Sequence, residues 1–491
     1  MRRSPAATIH HGPLTVILQA VDGTPDLQPM LHSLPSTMPV IWCDSARRHA
    51  VTGRWSMLGC DPWLTCVARR DRVEVRTSAA THVRRANPLD ALREIMGRYR
   101  APARSQPYVR AIGLMGYLGY EMNQWIERMP EPQPAWGEVP DMLWYAMRAI
   151  VLVDHLDQRT WLLSVVDPHR PASLAKREAL EKLEWLEEHV TRTTPTPTTF
   201  LACHDVPTLH PTSTPREFET MVSDALDHIR AGNIFQANVA QRFTTSWPAD
   251  PRTLYDRLRR INPSPFACFL SGERVSIVSC SPERLVRVQE GRVDTRPIAG
   301  TRPRGATPDE DFANSLALLV SEKERAEHIM LVDLARNDLG RMCRTGSISV
   351  SELMTLEAYS HVIHIVSDVS GVLRRGVDPV DVIRAVFPGG TITGCPKVRC
   401  MQILRALEPV ARGVYTGSLG YLGFDGTMDL NIAIRTIVLR DRHVSFHVGA
   451  GIVADSMPER EYAETLAKAE ALIRALAVTA DVSTQADAVA R

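Results

Sequence analysis

Gly389-Gly390-Thr391-Ile392-Thr393-Gly394-Cys395-Pro396-Lys397 places three glycines directly ahead of a helix that opens on a proline. Such a loop can offer backbone amides to an anion at a helix N-terminus. It can equally be a tight turn through which a strand enters a helix. The spacing is not that of a phosphate loop, since no Gly-Lys-Ser/Thr follows four residues after a glycine, and Gly-x-Gly-x-x-Gly is missing. A nucleotide is therefore not the favoured ligand, and the loop takes its meaning from its neighbours.

Downstream of the loop and its helix, apolar alternation predicts strands over 414–424, 429–439 and 443–453. The middle one puts Asn431, Ala433 and Arg435 on one face, so Arg435 either reaches an anionic ligand or snorkels to solvent. The last strand ends in Gly449-Ala450-Gly451, where backbone can approach a ligand closely. A helix over 458–477 then carries Glu461, Glu464 and Lys468 on one stripe, with Tyr462, Leu466, Ala469 and Ile473 as its buried stripe.

Upstream, Thr214-Pro215-Arg216-Glu217 has the form of a capping box, and Gly232 stops the helix it begins. In the strand that follows, Gln236, Asn238 and Arg242 share a face opposite Phe235, Ala237 and Val239, a pattern that fits a pocket wall or an exposed edge. Ser281-Pro282-Glu283-Arg284 closes an apolar run from Val275, and 296–305 reads as a structured basic loop. A long helix is expected over 309–339. On it Glu324, Glu327 and His328 stand together, either as hard-metal ligands or a proton relay, or as an ordinary helix salt bridge. His364 lies on the Val362 and Val366 face of an apolar strand, the usual setting of a core histidine.

With 491 residues the chain can bury a large core, and its formal charge of +1 gives no sign of a nucleic-acid or anionic-membrane surface. Nine cysteines without a Cys-x-x-Cys pair read as free thiols of a reducing compartment. Met-Arg-Arg-Ser-Pro leads into no apolar signal, and no segment reaches membrane-spanning length, so a cytoplasmic protein is expected. A Pro/Thr-rich linker at 191–215 separates an N-terminal region, 1–190, from the chemistry-rich 216–477, with 478–491 as a tail.

From about 216 to 477 the chain resembles the chorismate-utilising enzymes, which include anthranilate synthase component I, aminodeoxychorismate synthase component I and the isochorismate and salicylate synthases. The resemblance rests on Ile-Phe-Gln-Ala-Asn-Val-Ala-Gln-Arg-Phe, Ser-Pro-Glu-Arg, Pro-Ile-Ala-Gly-Thr-Arg-Pro-Arg-Gly, Met-Leu-Val-Asp-Leu-Ala-Arg-Asn-Asp, the glycine loop and Gly-Ala-Gly-Ile-Val, in that order. It implies an α+β fold in which two large, mainly antiparallel sheets pack face to face with helices outside. By the same carry-over Glu327 and Glu464 hold Mg²⁺, and the substrate's carboxylates meet Arg435, Tyr421 and the backbone around Gly449, Ala450 and Gly451. Asn238 and Lys468 complete the substrate pocket, Thr391 contacts the ring, His364 assists departure of the displaced hydroxyl, and Glu283 is a general acid or base.

Within that family, water-using members carry a lysine at the position of Gln236, so the resemblance implies an ammonia-using enzyme. The segments around Gln236, Ile392, Gly423 and Asn431 resemble the aminodeoxychorismate synthases, whereas Ala299 is spelled as in anthranilate synthases and replaces a lysine nucleophile. No Gly-x-Cys-x-Gly nucleophile loop occurs, so ammonia is expected from a separate glutamine amidotransferase subunit. Met30-Leu31-His32-Ser33 has histidine where the tryptophan-binding Leu-Leu-Glu-Ser of anthranilate synthases has glutamate, so strong tryptophan feedback is not expected.

Overall fold

The structure, a computed structural model, describes residues 3–47, 52–191, 203–205, 208–305, 307–358 and 362–479. Its organising elements are two long strands, Trp55–Arg69 and Met142–Asp154, paired antiparallel along their length. Both exceed ordinary strand length. Trp55–Arg69 has a left-handed residue, Asp61, and an irregularity between Pro62 and Leu64, so its two halves serve different sheets.

One half leads through Val40–Asp44 to Phe266–Gly272, Val275–Ser281, Thr436–Arg440, His443–Ile452 and Gln236–Ser246. From the other end of the Met142–Asp154 strand, pairing runs through Gly113–Leu118 to Ser418–Gly423, Met428–Asn431, Arg284–Gln289, Arg292–Thr295 and Val362–Val372. Every one of these pairings is antiparallel, as the resemblance implied. The two sheets are nonetheless one hydrogen-bonded network, because they share the two long strands.

Alternation along the strands builds two cores. Ile41, Leu270 and Ile277 of the first sheet join Met115, Tyr117, Tyr145 and Leu419 of the second in a cluster between them. On the outer face of the first sheet, Trp42, Phe269 and Phe446 meet Leu186, Tyr255 and Leu472 from the covering helices Ala172–Thr191, Pro251–Ile261 and Pro458–Leu476. The N-terminal region is thus built into the body: Val40–Asp44 pairs with Phe266–Gly272, and Gly113–Leu118 with Ser418–Gly423. Most of the linker, 192–202 and 206–207, and the tail beyond 479 lie outside the described residues.

Four expectations need correction. The helix read over 309–339 is two, Pro308–Val320 and Glu322–Gly340, because Ser321 is extended and caps the second through its side chain on the Glu324 amide. The strand read over 429–439 is broken into Met428–Asn431 and Thr436–Arg440, with Arg435 at φ 50° between them, so period-two reasoning does not carry across the break. Within the basic loop 296–305, Ile298–Pro303 is a strand paired with Val362–Val372. The final helix buries Thr465, Ala469 and Leu472, while Leu466 is exposed.

Candidate active site

The capping box at Thr214 forms as its sequence suggests, and helix Pro215–Arg230 delivers the chain past Gly232, at φ 74°, into the strand Gln236–Ser246. That strand lies between the glycine loop and the last glycine-bearing strand. Gln236 opposes Cys395, while Asn238 opposes Gly451 and Val239 opposes Ala450. Ala237, Val239 and Ala450 pack under helix Pro215–Arg230, so Ala450 offers only backbone to a ligand. The even-numbered face is buried and polar, which decides for a pocket wall over an exposed edge.

Glycine has two different uses here. A Cβ on Gly390 would strike the Leu334 side chain, and one on Gly394, at φ 129°, would strike the Gln236 carbonyl, so both loop glycines serve close packing. The amides of Thr393 and Gly394 are also spent on the Gly390 carbonyl, which weakens the anion-loop reading. On the last strand, by contrast, a Cβ on Gly449 would meet Asn238 Nδ2 and the Tyr415 hydroxyl, and one on Gly451 would meet Gln236 Nε2. These two glycines leave space that polar side chains enter.

Around that space Gln236 Nε2 donates to Glu327 Oε1 at 3.0 Å. Lys468 Nζ donates to the Gly449 carbonyl at 3.0 Å and pairs with Glu464 Oε1 at 2.7 Å. Burial, then the charges of Glu324 and Glu464, push the Glu327 carboxyl up, so an acid of helix Pro458–Leu476 lies within electrostatic reach of helix Glu322–Gly340. Gln236 Oε1 is buried without a hydrogen-bond partner among the described residues, while Asn238 Nδ2 and the Tyr415 hydroxyl face the same space beside Gly449. Leaving a buried group unpaired costs about 1–3 kcal/mol, which a polar ligand would relieve.

The other wall is reached through the same loop. Thr391 Oγ1 donates to Glu283 Oε1 at 2.8 Å, and burial raises the Glu283 carboxyl to about 7 against the opposing pull of Thr391 and Arg435. His364 Nδ1 meets the Gly300 carbonyl at 3.1 Å, which makes that nitrogen the donor; burial, and then the Arg435 charge, hold its pKa down. Arg435 thus sits within electrostatic reach of both Glu283 and His364. His328 stands apart from the acids beside it in sequence: it is fully buried, bonded to Ser367 Oγ at 2.6 Å and lowered to about 4, a core histidine and no ligand.

Tyr421 is the one expected site residue that the structure places elsewhere. It lines a separate cavity of about 340 Å³ together with Asp44, Arg54, Arg110 and Asn431. The tyrosine beside Gly449 is Tyr415, which period-two reading merges into the same strand as Tyr421. The strand begins only at Ser418, after a turn containing Thr416 at φ 58°. The Gly413/Gly417 pair flanking Tyr415 was the available signal. Sequence reading also missed Arg412, buried and paired with Glu408, which donates to the carbonyls of Ile392 at 3.0 Å and Asn238 at 2.5 Å. It pins the glycine loop to the pocket strand. His32, for its part, is bonded to Asp256 at 2.6 Å beside buried Met30 and Leu31, so that segment packs and gives the feedback expectation no support.

The chain belongs to the chorismate-binding enzymes: the family's sequence model, described as chorismate binding enzyme, matches residues 47–474. Anthranilate synthase component 1 of Aquifex aeolicus is 42% identical over 397 residues, covering 80% of each chain. Aminodeoxychorismate synthase component 1 of Bacillus subtilis is 39% identical over 427 residues, covering 86% of this chain and 89% of its own. The crystal structure of anthranilate synthase component I from Streptococcus pneumoniae superposes with a TM-score of 0.76 at 33% identity, covering 87% of this chain and 94% of that one. The protein is a chorismate-utilising enzyme with the fold of that structure.

Proposed function

We propose that the chain is component I of an aminodeoxychorismate synthase. It would act in the cytoplasm and replace the allylic hydroxyl of chorismate by ammonia from a separate glutamine amidotransferase subunit. The observation that carries the ammonia-using part of this reading is Gln236, an uncharged amide bonded to Glu327 at the position where the resemblance puts a lysine in water-using members. Asn238 beside it, facing Gly449, supports the aminodeoxychorismate spelling. Asn431 loses its weight as a specificity residue, because its side chain bonds the Leu419 amide and the Phe266 carbonyl and faces the other cavity.

In the reaction the carbon–oxygen bond to the allylic hydroxyl breaks, a carbon–nitrogen bond forms, and the hydroxyl leaves as water while the bound ammonium loses a proton. Glu283, with a pKa of about 7, is protonated in part at neutral pH and gives that proton to the departing hydroxyl. The lowered His364 is a neutral imidazole there and serves as a hydrogen-bond acceptor or base. Arg435, Lys468 and the backbone at Gly449 and Gly451 orient the substrate's carboxylates. Among the described residues no group of three or more His, Cys, Asp or Glu is arranged as a metal cluster. Mg²⁺ typically takes only one or two protein carboxylates, and the mutually repelling Glu327 and Glu464 fit that demand. When bound, the ion would supply positive charge to a substrate carboxylate.

A specific observation favours the second reading, anthranilate synthase component I: buried Ala299 opposes Ile365 beside His364 and offers no amine nucleophile. Incubation with chorismate, ammonium and Mg²⁺, followed by product analysis, separates the two. 4-Amino-4-deoxychorismate is expected; fluorescent anthranilate with pyruvate would overturn the first reading, and no consumption of chorismate would overturn both.

A further inference from the structure

We propose that Cys43 and Cys268 form a dithiol modification site, at which a small hydroperoxide closes a reversible disulfide between strands Val40–Asp44 and Phe266–Gly272. The two cysteines are direct register partners. Opposed residues of an antiparallel pair hold their Cα atoms about 4.5–5.5 Å apart, inside the roughly 4.4–6.8 Å that a disulfide spans. Backbone pairing already supplies the geometry, and the strands stay where the sheet puts them.

Access and chemistry differ between the partners. Both line the cavity of about 340 Å³, but Cys43 is half-buried whereas Cys268 is buried. The neighbouring Cys43 thiol and burial hold the Cys268 thiol well up. Cys43 is therefore the group that meets an oxidant entering the cavity. Its sulfur attacks the peroxide oxygen, giving a sulfenic acid and releasing an alcohol or water. Cys268 sulfur then displaces the sulfenic oxygen as water, so two thiols and one hydroperoxide give one disulfide, one alcohol and one water. Cys280, the nearest other thiol in sequence, belongs to the cluster on the opposite face of the sheet and does not compete.

The test treats the whole chain with hydrogen peroxide, alkylates the remaining thiols and maps peptides without reduction. A linked peptide pair containing residues 43 and 268, lighter by two hydrogens and separated again by dithiothreitol, is expected, and it is lost in Cys43→Ser and Cys268→Ser. Equal alkylation of both thiols before and after peroxide would overturn the proposal, as would Cys43 carrying extra oxygen without a link. Should Cys268→Ser fail to fold, the wild-type map and Cys43→Ser decide alone. The outcome is independent of which amine product the enzyme makes.

Discussion

Two hollows in this molecule draw on the same chemical vocabulary of arginine, acid, asparagine and tyrosine, yet they are wired differently. In the cavity that holds Tyr421, charges are matched: Arg54 pairs with Asp154 at 2.6 Å, Arg284 with Asp429 at 2.8 Å and Arg287 with Asp294 at 2.8 Å. In the cleft between the glycine-bearing strand and the two acidic helices, burial and then the charges of Glu324 and Glu464 push Glu327 up, Glu283 is raised by burial, and the Gln236 amide oxygen lacks a partner among the described residues. Basic and acidic groups pair off around the Tyr421 cavity, whereas acids repel one another in the cleft, and the raised carboxyls mark the chemical site more sharply than cavity size does.

The contrast is broken most directly at the acids. Glu327→Gln or Glu464→Gln is expected to lower kcat/KM for chorismate by about 10³-fold, and to abolish any Mg²⁺-dependent rise in Tm. In metal-free buffer Glu327→Gln should melt no lower than the parent, because a repulsion has been removed, whereas Glu464→Gln also gives up its half-exposed pair with Lys468. A variant that lost Tm without metal yet kept its activity would show that these carboxylates are structural.

Glu283→Gln should cost about 10²–10⁴-fold in kcat. Because a proton donor is needed, the parent's activity should fall as pH rises through about 7, and that limb should vanish in the variant. The same shift has a stability consequence. A carboxyl raised from 4.5 to about 7 contributes stability that is fully present below 4.5 and is lost as pH climbs through 7. Glu121, also raised to about 7 by burial, adds to that loss. Chemical denaturation across this window reads both, and Glu283→Gln should flatten the slope.

Asn238→Ala and Tyr415→Phe should each raise KM for chorismate by about tenfold, roughly the worth of one hydrogen bond to a charged group, with smaller effects on kcat. A change in kcat alone would move these residues from binding to chemistry.

Much of this was legible in the chain. The capping box at Thr214 and the polar face of Gln236 and Asn238 follow from local periodicity, and the structure assembles them; the acids at 327 and 464 come from family spelling. The misreadings share one cause: period-two or period-3.6 counting assumes unbroken elements. A single extended residue, Ser321, splits a helix, and positive φ at Thr416 and Arg435 re-aims a strand, so Tyr415 and Tyr421 diverge although six residues apart. Arg412 escaped notice because its role lies in carbonyls brought together only by the fold. Long-range pairing, such as Val40–Asp44 against Phe266–Gly272, leaves no mark in local pattern at all.

The smallest expected effect is the most discriminating. Burial lifts the Tyr421 phenol to about 12, so its hydroxyl stays protonated throughout the working range and contributes no titrating charge. If its cavity is separate from the chemical cleft, Tyr421→Phe removes one hydroxyl from a charge-matched wall and should change kcat and KM for chorismate by less than about twofold, with a stability change of about 1 kcal/mol at most. Steady-state kinetics beside Tyr415→Phe makes the comparison internal, since the two tyrosines have the same chemistry and neighbouring positions in sequence. A tenfold rise in KM at 421 with none at 415 would exchange the two hollows' roles and restore the reading in which Tyr421 holds the substrate.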